Sequence, residues 1–251
     1  MKIRRLFQRL FSDAGAAGQP APKLEVQQKI KTPIDLLHEA AVRESFATFR
    51  DHMEQALLFP QKGRIRSHCI ERAISNFGDK GLYLEFGVFR AEGLNMFAKK
   101  LARRDLSITG FDSLRGLSED WTGNHNGREA GAYSVKGKMP ALEKNATLRA
   151  GWVEDTLPAY MDENPSLPIA FAHMDFDTYT PTAFALAQIK PRLAPGSILL
   201  FDELYGYPGW RQHEYKALTY TLSPECYRFI CFSKEAVGIE ITKSPQSSMD
   251  T

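Results

Sequence analysis

The stretch Leu82-Tyr83-Leu84-Glu85-Phe86-Gly87-Val88-Phe89-Arg90-Ala91-Glu92-Gly93 decides the fold. A short apolar run with one acid near its end gives way to a loop bounded by glycines. Leu94, Phe97, Ala98 and Leu101 then recur at the i, i+3, i+4, i+7 spacing of a helix face. Strand, loop and helix in that order begin a βαβ unit. Working outward, similar apolar runs lie at residues 107–111, 147–150, 169–174 and 197–201, and a helical rhythm between the last two includes Phe184, Leu186, Ile189 and Leu193. Unbroken apolar runs suit strands covered on both faces, so the pattern predicts an α/β fold with a doubly wound, mostly parallel sheet. Residues 227–232 and 236–241, separated by Ser233, Lys234 and Glu235, predict a terminal hairpin. Residues 32–76 read as helices that precede the sheet, with Ile34, Leu37 and Ala41 on one face and Met53, Leu57 and Leu58 on another.

Composition narrows the class. With 251 residues, 43% hydrophobic and 25% charged, the chain can bury a full core and is neither collagen-like nor wholly disordered. A net charge of +2 provides no general field to collect nucleic acid, and no nucleic-acid partner is expected. The longest apolar runs, such as residues 198–201, fall far short of the ~20 residues that a membrane-spanning helix needs. Cys69, Cys226 and Cys231 cannot all pair and lack CxxC spacing, which fits a reducing cytoplasm. Residues 1–11 place Ile3, Leu6, Phe7, Leu10 and Phe11 on one helical face, with Lys2, Arg4, Arg5 and Arg9 between them. That basic amphipathic stripe suits peripheral contact with an anionic inner membrane face. It equally suits packing on the body or on a second subunit of a homo-oligomer. Residues 12–23, rich in Ala, Gly and Pro, read as a linker, so the expected organisation is a tail and linker over 1–23, a folded domain over 24–243 and a flexible end over 244–251.

In a doubly wound sheet the ligand lies across the carboxyl ends of the strands. The acids there are Glu85 after the first run, Asp112 after the second, Asp175 and Asp177 after the fourth, and Asp202 and Glu203 after the fifth. Singly, each is an ordinary cap or turn residue; together they mark a cleft. A dinucleotide loop wants GxGxxG, and here Phe89 stands where the middle glycine admits the pyrophosphate. The spacing is also wrong for a P-loop. An adenosine cofactor without phosphates tolerates this loop, with Asp112 placed to accept ribose hydroxyls. S-adenosylmethionine meets that description, and its cationic sulfonium suits acidic strand ends.

Five motifs also resemble the macrocin O-methyltransferase family. They are Leu84-Glu85-Phe86-Gly87-Val88, Gly110-Phe111-Asp112-Ser113, the stretch from Gly151-Trp152-Val153 to Pro158, the stretch from His173-Met174-Asp175 to Tyr179, and Phe201-Asp202-Glu203 with Tyr207-Pro208-Gly209-Trp210 and His213-Glu214-Tyr215-Lys216-Ala217. The resemblance implies a class I methyltransferase with a Rossmann-like, seven-stranded sheet, parallel but for one strand, that uses S-adenosylmethionine and magnesium to methylate sugar hydroxyls. It further implies that Glu85, Gly87, Asp112 and Ser113 hold the cofactor, with Trp152 and Val153 near the adenine. The sequence departs from the family at Ala91, where glycine is common, and at Glu203, where a second Asp is frequent.

Asp175 and Asp177, two apart on an extended run, lean to one face, and Asp202 and Glu203 project beside them if the fourth and fifth runs are neighbours. The tip motifs contain no Lys or Arg, so the expected occupant is Mg²⁺ held by Asp175, Asp202 and Glu203, with Asp177 as general base or fourth ligand. His213 is the other candidate base. Tyr205, Tyr207 and Trp210 either stack on a sugar or pack the hairpin, and residues 121–128 read as a cover over the cofactor or a plain surface loop. The expected acceptor is a small molecule or glycan. The competing readings are an NAD-dependent sugar-nucleotide oxidoreductase, opposed by Phe89, and a cofactor-binding scaffold without turnover.

Overall fold

The computed structural model describes residues 31–124 and 126–245. The tail and linker expected over 1–23 lie outside the described residues, as do 246–251 of the expected flexible end. Along the chain run α1 (Pro33–Met53), β1 (Leu57–Leu58), α2 (Lys62–Phe77), β2 (Leu82–Phe86), α3 (Glu92–Leu101), β3 (Ile108–Asp112) and β4 (Ala146–Ala150). They continue with α4 (Val153–Glu163), β5 (Ile169–Met174), α5 (Tyr179–Ile189), β6 (Leu193–Phe201), α6 (Glu214–Thr221), β7 (Tyr227–Phe232) and β8 (Val237–Ile241).

The strands form one sheet in the order β1-β7-β8-β6-β5-β2-β3-β4. Every neighbouring pair is parallel except β6 with β8 and β7 with β8, so β8 alone runs against the rest. From β2 the chain winds outward through β3 and β4, then crosses back to β5 and β6 on the other side of β2. The reversal leaves a crevice between the ends of β2 and β5, where ligands bind in folds of this kind.

Both faces of the sheet are covered, which is why the apolar runs are continuous. Leu82, Leu84 and Phe86 of β2 pack with Leu157 and Met161 of α4 and Leu186 of α5. Tyr83 faces the other way, toward Ile65 and Ile70 of α2 and Leu94 and Phe97 of α3. Glu85 shares that second face at 1% exposure, so the first functional acid projects between the sheet and α2.

Two local expectations are corrected. Leu57 and Leu58 do not continue a helix; they form an eighth strand, parallel to Cys231 and Phe232 of β7. The unpaired backbone at the edge of β7 captures them, and Phe59 N–H adds a bond to Phe232 O at 2.8 Å. The sheet therefore has eight strands instead of seven. Leu193 begins β6 instead of extending α5: the helix ends at Ile189, and a tighter turn over Lys190–Arg192, with Pro191 lacking the N–H an α-helix needs, leads into the strand. Among the described residues no helix is long and apolar enough to cross a membrane.

Candidate active site

The crevice holds a cavity of about 330 Å³. Glu85, Gly87, Asp112, Ser113, Trp152 and Val153, the six residues singled out for the cofactor, all border it. Asp175, Asp177, Glu203 and Arg66 border it too, so the adenosine-type wall and the acidic wall face one space.

The glycine loop is built by close approach. Gly87 has φ 87°, and a Cβ there would lie 1.8 Å from the backbone oxygen of Asp175, so only glycine lets the ends of β2 and β5 close together. A Cβ on Gly93 would stand 2.3 Å from Oε1 of Glu85, which explains the glycine where α3 begins over that acid. Between them Phe89 (φ 49°) and Ala91 (φ 63°) adopt left-handed backbone, a conformation costly for non-glycine residues. Asp112 holds this shape. Its Oδ2 accepts the N–H groups of Val88 and Phe89, both at 2.8 Å, and its Oδ1 accepts that of Leu114 at 2.6 Å. The sequence suggested a ribose acceptor; the structure adds a loop clamp. A carboxylate offers about four acceptor positions, so three backbone bonds leave it capacity for a hydroxyl.

The acidic wall follows from pairing between β5 and β6, with His173 opposite Leu200 and Met174 opposite Phe201. One oxygen each from Asp175, Asp177 and Glu203 lie within 4.8 Å of one another. The premise that these acids lack cationic neighbours is corrected. Lys62 Nζ donates to Asp202 Oδ2 at 2.8 Å and to Glu203 Oε1 at 2.6 Å. Arg66 Nη2 donates to Asp202 Oδ1 at 2.8 Å and to Asp175 Oδ2 at 3.3 Å. Both cations come from α2, some 140 and 136 residues earlier in the chain. Their only sequence signal is the i, i+4 spacing beside the buried stripe Ile65, Cys69 and Ala73. His173, fully buried, lies with Nδ1 2.9 Å from Glu85 Oε1 and Nε2 3.4 Å from Asp202 Oδ1.

This arrangement separates the acids by proton affinity. Burial pushes the Asp202 carboxyl up, but the hydrogen bond to His173 and the charges of Arg66 and Lys62 outweigh it and hold Asp202 well below the usual range. Burial and neighbouring carboxylates push Asp177 and Glu203 well above it, and Asp175 up to about 7. Burial alone would lower His173, yet its bonds to Asp202 and Glu85 carry it up to about 9. Glu214, missed in the sequence, is wholly buried behind the cluster, and its Oε2 accepts Glu203 N–H at 3.1 Å. Six acids thus meet three cations. Among the described residues Glu203 Oε2 is buried without a hydrogen-bond partner.

His213 is placed differently from the acids. Its Nε2 donates to the backbone oxygen of Thr122 at 2.8 Å, burial lowers its pKa so that the ring stays neutral, and it does not border the cavity. It ties α6 to the segment that begins with Trp121. That segment closes on itself by a Trp121–Arg128 bridge, and Trp121 borders the cavity. Trp210 and Tyr207 are at most 1% exposed, and the Trp210 ring lies 5.7 Å from that of Phe49 in α1. The aromatic loop therefore packs inward and is not open for stacking on a sugar.

Residues 84–204 match a family described as a methyltransferase domain. A curated relative from Streptomyces olivaceus, the 8-demethyl-8-(2,3-dimethoxy-alpha-L-rhamnosyl)-tetracenomycin-C 4'-O-methyltransferase, is 26% identical over 170 residues, 59% of this chain and 62% of that protein. The chain thus matches about three-fifths of that relative's length. Among solved structures, the calicheamicin methyltransferase CalS11 superimposes with a TM-score of 0.61 at 22% identity, covering 91% of this chain and 99% of the other. The O-methyltransferase NovP gives 0.55 at 20% identity, over 72% and 80% of the two chains. These two likenesses show the fold alone, a doubly wound, mostly parallel sheet of the kind the apolar runs predict.

Proposed function

We propose that the chain, whose residues 84–204 match a family described as a methyltransferase domain, transfers a methyl group from S-adenosylmethionine to a hydroxyl oxygen of a sugar or other polyhydroxy acceptor, assisted by magnesium. The observation that carries this reading is that one cavity is bordered both by Gly87, Asp112 and Trp152 and by the acids Glu85, Asp175, Asp177 and Glu203. The relative from Streptomyces olivaceus is named for methylation of a rhamnosyl group, which supports a sugar acceptor.

The chain's own residues divide the work. Asp112 fixes the glycine loop, and Phe89 closes the space a pyrophosphate would need, which disfavours NAD. Trp152 and Val153 offer an apolar surface for an adenine. When bound, S-adenosylmethionine supplies an electrophilic methyl carbon. Asp177 receives the proton that the acceptor hydroxyl gives up as the new C–O bond forms and the C–S bond breaks. Burial and the neighbouring carboxylates raise its proton affinity above that of an ordinary aspartate.

The donor set fits a hard cation, because three carboxylate oxygens converge and Glu203 Oε2 is orphaned. Asp175, Asp177 and Glu203 would hold it; Asp202, expected among the ligands, is not in the convergent set and has both oxygens engaged by Lys62 and Arg66. It would supply Lewis acidity that eases loss of the hydroxyl proton. We place the protein in the cytoplasm, with residues 1–11 as the segment that meets an anionic membrane surface or a second copy of the chain.

The test is transfer of label from S-adenosylmethionine to a panel of rhamnosides and other polyhydroxy compounds, with and without EDTA. A labelled methyl ether that forms only when magnesium is present supports the proposal. Tight S-adenosylhomocysteine binding with no transfer across the panel favours the scaffold reading instead.

A further inference from the structure

The two α2 cations are not equivalent. Arg66 presents a planar, branched group to Asp202 and Asp175, and only 20% of its side chain is exposed. Lys62 reaches the same cluster from the rim. Its side chain is 36% exposed, yet its ammonium bridges Asp202 Oδ2 and Glu203 Oε1, whose side chains are 4% and 11% exposed. A compact charge between two carboxylate oxygens, at 2.8 and 2.6 Å, has the position and sign of a bridging metal ion.

We infer that Lys62 is a resident counter-cation that competes with a divalent metal for the strand-end carboxylates and so limits how tightly the site holds that metal. The inference rests on the magnesium part of the proposed function. Rotation about the four-carbon stem moves the ammonium into solvent and uncovers Asp202 Oδ2 and Glu203 Oε1, while Arg66 keeps Asp202 Oδ1 in place. Glu203 Oε2, buried and unpartnered among the described residues, stays available to an ion throughout. Without Lys62 the metal-free protein holds the two carboxylates with one cation fewer, and their repulsion rises. With it, an incoming ion must displace a positive charge, which weakens affinity and favours divalent over monovalent cations. Lys62 is a positioning residue in this account: it does not border the cavity.

The sign of the effect separates this role from a merely structural one. Magnesium is titrated calorimetrically into the full chain without cofactor, for wild type, Lys62→Met, Lys62→Gln and Lys62→Arg. Both neutral variants should bind magnesium at least tenfold more tightly than wild type, whereas Lys62→Arg should bind it no more tightly. Their metal-free melting temperatures should fall, and saturating magnesium should raise them by more than it raises that of wild type. Unchanged or weaker binding in the neutral variants, or no magnesium binding in any protein, overturns the inference. If Lys62→Met fails to fold, Lys62→Gln carries the same comparison; if both fold only with magnesium present, that dependence itself supports the role. S-adenosylhomocysteine binding, measured on the same preparations, reports separately on the methyltransferase reading, because the cation titration does not require it.

Discussion

Replacing Asp112 by Ala tests whether this residue clamps the loop or serves only as a ribose acceptor. Three backbone donors end on its carboxylate, two at 2.8 Å and one at 2.6 Å. Hydrogen bonds to charged groups contribute about 1.5–3 kcal/mol each, so the low end, suited to a partly exposed loop, gives a loss of roughly 4.5 kcal/mol. The strained backbone at Phe89 and Ala91 loses its restraint at the same time, and the loop relaxes away from the cofactor-binding shape. Urea denaturation should therefore show a large fall in stability, and calorimetry should show S-adenosylhomocysteine affinity reduced by at least a hundredfold. Asp112→Asn should lie between, since its amide oxygen still accepts while its NH₂ opposes a backbone donor. A stability change below about 1 kcal/mol, with cofactor affinity still lost, would refute the clamp and leave a ribose contact alone.

Further outcomes follow from the same geometry. Gly87→Ala, which places a methyl 1.8 Å from the Asp175 backbone oxygen at a positive φ, should destabilise the fold by more than about 2 kcal/mol in urea titration. Above the ordinary carboxylate value of 3.8, where the opposite contribution of Asp202 is already complete, metal-free stability should fall as pH rises. Asp175 and His173 both bind protons more tightly when folded, so their contributions are complete below the ordinary values of 3.8 and 6.5 and are lost as pH passes about 7 and about 9. Urea midpoints that stay level or rise over that range contradict the cluster's electrostatics. Asp177→Asn should lower kcat by about 10²-fold or more with S-adenosylhomocysteine affinity intact, whereas His213→Gln should mainly raise KM, because the ring anchors Thr122; comparable loss of kcat in His213→Gln would move the base there. Deleting residues 1–23 should abolish low-salt binding to anionic vesicles and leave cofactor binding unchanged in a sedimentation assay; vesicle binding that survives the deletion removes the membrane role of the tail.

The sequence was most legible where one physical cause dominates. Leu82–Phe86 is buried on both faces, so its apolar run and the strand coincide. The glycine loop was legible because Gly87 and Gly93 mark close approaches of backbone and side chain that no other residue permits. Leu57–Leu58 was not, since a two-residue strand has no periodicity of its own and exists through the exposed edge of β7. The acids were visible at the strand ends, but their neutralisation was hidden, because Lys62 and Arg66 reach them through packing of α2 across more than a hundred intervening residues. Tyr207 and Trp210 looked like a sugar platform, and only the position of α1, with Phe49 against Trp210, turns them inward. Asp112 ends β3 at the border of the cavity, while its three backbone bonds depend on loop shape that spacing does not encode.

The central claim is that the cavity between β2 and β5 is a site for S-adenosylmethionine. Calorimetric titration of the full chain with S-adenosylhomocysteine and, separately, with NADH tests it most directly. The account predicts saturable, one-to-one heat with S-adenosylhomocysteine that disappears in Asp112→Ala, and none with NADH; tight NADH binding with no response to S-adenosylhomocysteine would contradict it.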